Sequence, residues 1–256
     1  MIRIATSCVT GKKYDICGDA TAKADNEKWT TIALSDGAGS KRLSHIGAKI
    51  ATDSVVQNFP KIIEENCPNF LRNASPFKQI LLDAILDAIE SYRQENAITE
   101  PIDEFSGTLL FAILYKPSNK WLIGHLGDGV IGALDCKNEL VILSSPDNGE
   151  YANETFFFTS KDAQEHFRLY LVKGIHSVVL MSDGPEKSLY DRRNNRLSNA
   201  VRTLFAWQKE LEPEHFQEVL HKNIEQIIAT KTDDDCSISM IQKYDIPFKP
   251  FSRIEL

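Results

Sequence analysis

Aspartates recur where short apolar stretches of the sequence end or begin, and glycine stands beside most of them. The positions that share this pattern are Asp19, Asp36, Asp128, Asp183 and Asp234. Any one of them alone is best explained as a turn, because Asp-Gly is a favoured turn pair. Together they indicate more, because the strands of one sheet or sandwich bring their ends to a common edge. The sequence therefore predicts a cluster of carboxylates at one edge of a β-structure.

Such a cluster would have a distinctive chemistry. Crowded carboxylates repel one another and raise each other's pKa values unless cations neutralise them. Ligands that offer only oxygen, without His or Cys, favour hard divalent cations such as Mg²⁺ or Mn²⁺ over zinc. Two such ions about 3.5–4 Å apart can activate water and bind a phosphoryl group during its transfer. The pattern therefore indicates metal-assisted phosphoryl chemistry.

Strands are needed to position these aspartates. Apolar or β-branched runs bounded by turn residues predict strands. Such runs are found at residues 2–8, 29–34, 108–115, 121–125, 130–134, 140–143, 177–181 and 237–241. Short turns join the four runs in the middle of the chain, which predicts an antiparallel meander there.

Helical spacing separates these strands into blocks. Apolar residues recur every three or four positions at residues 41–59, 75–92, 196–208 and 213–228, with Ser40 as the predicted N-cap of the first helix. Blocks of strands and helices, rather than strict alternation, favour an α+β fold with antiparallel sheets. No linker or repeat divides the sequence, so we expect a single domain over residues 1–256.

The bulk composition argues against several classes of protein. The 256 residues are 42% hydrophobic and 25% charged, and the net charge of -7 argues against nucleic-acid binding. No apolar run approaches the roughly 20 residues of a membrane span, and the start of the sequence lacks the order of a secretory signal. We therefore expect a cytoplasmic protein that binds neither nucleic acid nor membranes. The five cysteines form no CxxC pair, which favours reduced thiols over disulfides or zinc ligands.

The acidic motifs stand in an order that resembles a known family. In sequence, they are Cys17-Gly18-Asp19-Ala20, Ser35-Asp36-Gly37-Ala38-Gly39-Ser40, Ser106-Gly107-Thr108, Gly127-Asp128, Ser182-Asp183-Gly184 and Asp234-Asp235-Cys236-Ser237. Over roughly residues 3–241 this order resembles the metal-dependent protein phosphatases of type 2C. The Asp-Gly-Ala-Gly-Ser run and residues 149–155 are similar to the bacterial branch. The resemblance implies a β-sandwich flanked by pairs of α-helices, in α-β-β-α layers.

The resemblance also implies a site with two Mn²⁺ or Mg²⁺ ions. Asp36 would bridge the two ions, and the carbonyl of Gly37 would bind the second. Asp183 and Asp234 would complete the site of the first ion.

Two further aspartates take supporting roles in the implied site. Asp19 would act beside Asp36 in catalysis, chiefly by holding water at the second ion, and Asp128 matches the position of a weaker third ion. Gly18 departs from the polar residue that often precedes the first aspartate. Ala38 stands where eukaryotic members carry a histidine proposed as general acid, so the acid for the leaving group is unassigned.

The family's phosphate-binding arginine has no counterpart near the first motif. Lys12 and Lys13 are the nearest basic candidates for binding substrate, although a solvated turn explains them equally well. The irregular segment at residues 144–168 is where a substrate-facing flap is expected. His125, just before Gly127-Asp128, is interpreted as a structural histidine.

The implied reaction is direct attack of a metal-bridging hydroxide on the phosphorus of a phosphoserine or phosphothreonine protein, without a phosphoenzyme. A cognate Ser/Thr kinase would be a further partner. An alternative is a weakly active regulatory pseudophosphatase that binds a phosphoprotein or kinase, which Gly18 and Ala38 motivate. A two-metal nuclease fits the carboxylates, but neither the acidic charge nor the order of the motifs.

Overall fold

The computed structural model describes residues 1–13, 15–66, 75–147, 155–244 and 249–256. In chain order, the strands are β1 (Ile2–Val9), β2 (Ala20–Asp25), β3 (Trp29–Ser35), β4 (Leu109–Tyr115), β5 (Lys120–Leu126), β6 (Val130–Asp135), β7 (Leu140–Ser144), β8 (Arg168–Lys173), β9 (Ile175–Met181), β10 (Tyr190–Asp191), β11 (Arg196–Leu197), β12 (Cys236–Lys243) and β13 (Ser252–Glu255). The α-helices are α1 (Ser44–Asn66), α2 (Ser75–Glu95), α3 (Ala163–His166), α4 (Glu186–Leu189), α5 (Asn199–Glu210) and α6 (Pro213–Asn223). A 3-10 turn covers Ile102–Phe105, and α6 continues into a π-helical turn at Ile224–Ile228 and a 3-10 turn at Ala229–Lys231.

Two antiparallel sheets form the centre of the fold. Among the described residues, one sheet has five strands in the order β1-β12-β9-β6-β7, and the other has six in the order β13-β8-β5-β4-β3-β2. β10 and β11 form a separate small hairpin. The two large sheets pack face to face through a dry apolar layer that includes Ile32, Trp121 and Ile241.

Side-chain alternation builds the outer layers. All residues of β3 are buried, and successive side chains of a strand point to opposite faces. Ile32 and Leu34 therefore join the layer between the sheets, whereas Trp29 and Ala33 join the core beneath α1 and α2. On the other side of the sandwich, α5 and α6 cover the five-stranded sheet. The predicted α+β fold, an antiparallel sandwich flanked by pairs of helices, is confirmed.

The boundaries of two predicted helices are wrong. Helix α1 begins at Ser44 rather than at residue 41, so Ser40 is not its N-cap, and it continues through Pro60 to Asn66. A proline inside a helix removes one hydrogen bond, but Phe59 and Ile63 are buried against the sheet and α2, and this packing outweighs the loss. Helix α5 begins at Asn199 because Arg196–Leu197 pairs with Tyr190–Asp191 as a hairpin.

The predicted meander is also wrong. Strands β4 and β5 pair in the six-stranded sheet, whereas β6 and β7 pair in the five-stranded sheet. The chain crosses from one sheet to the other at Gly127-Asp128-Gly129. Asp128 therefore lies on the connection between the two sheets rather than in a hairpin turn.

Several strand ends meet at one end of the sandwich. Ser35, the last residue of β3, pairs with Ala20, the first of β2. Met181, the last residue of β9, pairs with Val130 at the start of β6 and with Ile238 near the start of β12. The aspartates of the sequence pattern directly adjoin these strand ends.

Some features fall outside this description. Cys67 and most of the 149–155 motif lie outside the described residues. The other four cysteines, Cys8, Cys17, Cys136 and Cys236, are free thiols. No described helix has the length and apolar character needed to cross a membrane.

Candidate active site

A cavity of about 540 Å³ opens where the strand ends meet. Asp36, Asp128, Asp183 and Asp234 contribute to its lining. Asp19 is only 7% exposed, and its charge is near enough to raise the pKa of Asp36. The fold therefore brings together aspartates from five distant segments of the sequence.

The backbone around Asp36 is held by the Ser106-Gly107-Thr108 segment. The amide of Asp36 donates to Thr108 Oγ1 at 3.0 Å, and the amide of Thr108 donates to the Asp36 carbonyl at 2.8 Å. Ala38 N–H donates to the Ser106 carbonyl at 3.0 Å. These bonds continue the pairing of β3 with β4 beyond the strand ends, and they fix the direction in which Asp36 leaves the sheet.

Two glycines allow backbones to approach each other closely at the site. A Cβ atom on Gly37 would lie 2.7 Å from the carbonyl oxygen of Gly18, and one on Gly184 would lie 1.9 Å from the carbonyl oxygen of Asp235. Both distances are too short for any side chain. The glycines beside Asp36 and Asp183 are therefore required by packing between the segments that carry the carboxylates.

Some buried carboxylate oxygens in and beside the cavity have no hydrogen-bond partner. Neither Oδ1 nor Oδ2 of Asp19 forms a hydrogen bond, and Oδ1 of Asp183 also has none. Burial raises the pKa of Asp19 well above its ordinary value, and the nearby hydroxyls of Ser237 and Ser182 offset only part of that shift. Since buried polar atoms are normally paired, these oxygens are suited to ligands that the protein itself does not supply.

Mutual repulsion is the second electrostatic feature of the cluster. Burial, and then the charges of Asp19, Asp183, Asp128 and Asp234, raise the pKa of Asp36 well above its ordinary value. Burial and the charges of Asp128 and Asp234 raise the pKa of Asp183 to about 6, against a smaller opposing contribution from a hydrogen bond with Asp36. Burial also raises the pKa of Asp234. Without cations, the cluster therefore retains protons that isolated aspartates would lose.

The donor set fits hard divalent cations. It consists of carboxylate and carbonyl oxygens, which Mg²⁺ and Mn²⁺ prefer, and it contains unpaired buried oxygens. Among the described residues, however, no group of three or more His, Cys, Asp or Glu side chains is already arranged to hold a metal ion. The backbone gathers the carboxylates, and like-charge repulsion opposes their final convergence.

Asp235 has a structural role that the sequence analysis missed. Its Oδ1 accepts a hydrogen bond from Gly11 N–H at 2.6 Å, and its Oδ2 accepts one from Gly18 N–H at 2.5 Å. This carboxylate therefore holds both ends of the loop that leads to Asp19. The triple-aspartate run was the only sequence signal, and it does not reveal which member faces the loop.

Basic residues at the cavity differ from the predicted pair. Lys12 and Lys13 are not part of its lining, and Lys13 Nζ forms an ion pair with Asp233 at 2.9 Å. Lys41 and Arg42, in the turn before α1, do line the cavity. Sequence analysis missed them because their position depends on how α1 packs against the Asp36 turn.

The comparisons with known proteins agree with this architecture. A sequence model of the family described as Protein phosphatase 2C matches residues 12–225, which is most of the chain. The chain belongs to the protein phosphatase 2C family. The search of curated proteins found no match.

Solved structures in this family share the fold. The chain is similar to the serine/threonine phosphatase Stp1 from Staphylococcus aureus, with a TM-score of 0.65 at 17% identity over 96% of each chain. It is similar to PppA, described as a key regulatory component of T6SS in Pseudomonas aeruginosa, with a TM-score of 0.62 at 15% identity over 94% of this chain and 97% of that one. RsbX, solved in complex with magnesium, gives 0.56 at 11% identity over 94% of each chain. At such identities the likeness shows the fold alone.

Gly18 and Ala38, the two residues that depart from the phosphatase 2C pattern, both lie beside the cavity. Gly18 contributes only its backbone, through its N–H bond to Asp235 and a bond from Gly37 N–H to its carbonyl at 3.2 Å. A Cβ atom there would lie 3.2 Å from Asp235 Oδ2. Ala38 is 7% exposed and presents only a methyl group beside the cavity.

The predicted flap segment contributes to the cavity at its described end. Thr155 Oγ1 donates to Asp128 Oδ2 at 2.8 Å, and both Thr155 and Phe157 belong to the lining. Phe156 and Phe158 instead pack into the core under α1 and α2. Residues 148–154 lie outside the described residues, so the flap as a whole stays a prediction.

His125 is structural, as interpreted from the sequence. It is fully buried, and its Nε2 donates to the Gly127 carbonyl at 3.0 Å. Its Nδ1 is therefore the acceptor, at 2.7 Å from Ser144 Oγ. Burial, with a smaller effect of the Arg168 charge, lowers the pKa of His125 well below its usual range. The neutral ring ties the Asp128 connection to β7.

Proposed function

We propose that this chain is an active serine/threonine phosphoprotein phosphatase that depends on two Mn²⁺ or Mg²⁺ ions, with a weaker third. The observation that carries the proposal is the cluster around Asp36, where buried carboxylates raise each other's pKa values and leave oxygens unpaired. Such a cluster is costly to a folded protein unless cations occupy it. Because the chain belongs to a phosphatase family, phosphomonoester hydrolysis is the function that best explains why the fold keeps these destabilising carboxylates.

The proposed ligands follow from the positions of the donors. The other four aspartates all lie near enough to Asp36 to raise its pKa. Asp36 would therefore bind both principal ions, and the carbonyl of Gly37 would bind the second ion. Asp183 and Asp234 would hold the first ion. When bound, divalent cations lower the pKa of water and offset charge on phosphoryl oxygens.

The remaining carboxylates have supporting parts in the proposal. Asp19 has two buried oxygens without partners, which suits it to accept hydrogen bonds from water and to orient it towards the cavity. Asp128 would join Asp183 at the weaker third ion, and its bond from Thr155 fixes one of its oxygens. We therefore propose Asp36 and Asp19 as the catalytic pair.

The substrate in this proposal is a phosphoserine or phosphothreonine protein, with a cognate Ser/Thr kinase as a further partner. The cavity is open, and the basic side chains Lys41 and Arg42 contribute to its lining, which suits a phosphoryl group carried on a peptide. Lys41 and Arg42 are better placed than Lys12 and Lys13 to contact it, because they belong to the lining. The role of Lys12 and Lys13 in binding stays a prediction.

Hydrolysis of p-nitrophenyl phosphate and of a phosphothreonine peptide, in millimolar manganese, tests the proposal. We expect turnover by the wild-type chain and a loss of about 10²-fold or more in Asp36→Asn, because one electrostatic contact in an active site can contribute that much. Asp87→Asn, an exposed aspartate of α2, is the matched control and should keep full activity. If the wild type shows no turnover and Asp36→Asn behaves identically, the proposal that the chain is an active phosphatase is wrong.

A further inference from the structure

A phosphoserine or phosphothreonine leaves as an alkoxide, and this leaving group needs a proton. This inference rests on the proposed function, and it concerns the side chain of the cavity that supplies this proton. General acids contribute typically 10²–10⁴-fold to such steps. A p-nitrophenolate leaving group is far less basic, so its departure requires little protonation.

Most groups in the cavity lining are unsuited to this task. Arg42 carries a guanidinium, a side chain that is not a proton donor in proteins, and Lys41 Nζ forms an ion pair with Asp103 at 2.6 Å. Asp235 is committed to two backbone N–H donors. The carboxylates around Asp36 are the proposed cation ligands. Among the described lining residues, His45 is the one imidazole, the side chain that most readily exchanges a proton near neutral pH.

The position of His45 is fixed by close backbone packing. It is the second residue of α1, and the preceding Ser44 carbonyl lies 2.9 Å from where a Cβ atom of Gly37 would be. Two residues further along the helix, Gly47 packs against Phe105 so closely that a Cβ atom would lie 1.8 Å from the Phe105 carbonyl oxygen. The helix start is therefore held between the Asp36 turn and the 3-10 turn before β4.

The imidazole itself is available for a substrate. His45 is half-buried and lines the cavity together with Asp36 and Asp183. It makes no hydrogen bond or ion pair with any residue in the described part of the chain. Ala38, which also lines the cavity, presents only a methyl group there.

We propose that His45 is the general acid of the reaction. The attacking water gives one proton to solvent as its oxygen forms a bond to phosphorus. The bond from phosphorus to the serine or threonine oxygen breaks, and its electron pair stays on that oxygen. The imidazolium of His45 gives its proton to this oxygen, so the products are a neutral hydroxyl group and inorganic phosphate. The imidazole then regains a proton from solvent, and no electrons are exchanged.

Leaving-group dependence tests this assignment. In millimolar manganese, kcat of His45→Gln should fall about 10²-fold on a phosphothreonine peptide and less than about threefold on p-nitrophenyl phosphate. Phenyl phosphate, whose leaving group is intermediate in basicity, should show an intermediate loss. His215→Gln makes the same chemical change on the exposed face of α6, and it should leave all three rates unchanged.

The outcomes separate this inference from the proposed function. Equal losses on all substrates, or no loss on the peptide, would show that His45 is not the general acid while the phosphatase proposal stands. Absence of turnover by the wild type on every substrate would overturn both. His45→Asn provides the same comparison if His45→Gln does not fold, as judged by circular dichroism.

Discussion

At the scale of single residues, the site is a compromise between stability and chemistry. Asp19 is buried, Asp36 and Asp183 are half-buried close to it, and loss of hydration is the main reason why their pKa values are raised. Each would be less costly to the fold as a neutral residue. Such local costs are common where a protein performs chemistry.

Because of Asp183, the free energy of unfolding of the metal-free protein should depend on pH. Its folded pKa of about 6 lies above the ordinary value near 3.8, so between these values the folded protein binds more protons than the unfolded chain. The free energy of unfolding should therefore fall as pH rises from about 4 to 6 in the absence of metal. Asp183→Asn should remove this loss and stabilise the metal-free protein by roughly 1–3 kcal/mol at pH 7.5.

Urea unfolding in chelator at pH 4 and at pH 7.5 measures this difference. Asp87→Asn, which alters a carboxylate outside the cavity, should have little effect at either pH. If Asp183→Asn is no more stable than the wild type at pH 7.5, the burial of the Asp183 charge and the repulsion by Asp128 and Asp234 do not destabilise the fold.

The sequence predicts the gathering of the aspartates, because four of them lie within two residues of a strand whose apolar pattern is clear, whereas Asp19 leads into β2, which the sequence did not predict. It does not predict the role of Asp235, which depends on the path of the loop between β1 and β2. Nor does it predict that His45 lines the cavity. That placement depends on helix α1 starting at Ser44 and packing against Gly37.

At the scale of elements, the start of α1 is the most tightly fixed part of the site. Gly47→Ala would place a methyl group 1.8 Å from the Phe105 carbonyl oxygen. Because both partners are backbone, neither can rotate away, and we expect a loss of about 2 kcal/mol or more in the free energy of unfolding. Gly18→Ala, whose Cβ atom would approach only a side-chain oxygen at 3.2 Å, is the milder comparison.

Chemical denaturation of the two glycine variants measures this effect. The expected order is wild type, Gly18→Ala, then Gly47→Ala, from most to least stable. If Gly47→Ala is as stable as the wild type, α1 can shift away from the 3-10 turn, and the fixed position of His45 would lose its support.

The connection between the sheets depends on His125. Truncation to alanine would leave the Gly127 carbonyl and the Ser144 hydroxyl without this partner in a buried setting. We expect His125→Ala to reduce the free energy of unfolding by about 2–4 kcal/mol. His215→Ala, on an exposed helix face, should remain within about 0.5 kcal/mol of the wild type. Equal stability of the two variants in guanidinium titrations would contradict this account of the network.

The sequence did not predict β2, β8, β13 or the hairpin of β10 and β11, and for the two edge strands among them the physical reason is the same. β2 carries polar residues on its exposed face, and β13 is exposed throughout its length. Both lie at the edges of the six-stranded sheet, where a strand needs no continuous apolar run. Most of the central strands were predicted because burial on both faces requires such runs. The exception is β8, which lies between β13 and β5 and was not predicted as a strand.

At the scale of the whole molecule, the sandwich brings together residues that are far apart in sequence. Asp19 and Asp234 are far apart in sequence, yet antiparallel pairing brings β2 and β12 to start at the same end of the fold. The predicted meander failed because local turn signals do not show which sheet a strand joins. The fold class was still predictable, because the blocks of strands and helices fix its layers.

Similarity at 11–17% identity to Stp1 and RsbX indicates that this architecture tolerates wide change in sequence. What the account requires of this particular chain is that its own carboxylates bind divalent cations. Activity alone depends on substrate choice, whereas binding does not. The metal is therefore the most direct probe of the whole assembly.

Equilibrium titration with Mn²⁺, followed by the electron paramagnetic resonance signal of the free ion, is the decisive measurement. We expect the wild-type chain to bind at least two ions, and Asp36→Asn to lose more than one of them, because Asp36 stands at the centre of the cluster. Binding no greater in the wild type than in Asp36→Asn would contradict it.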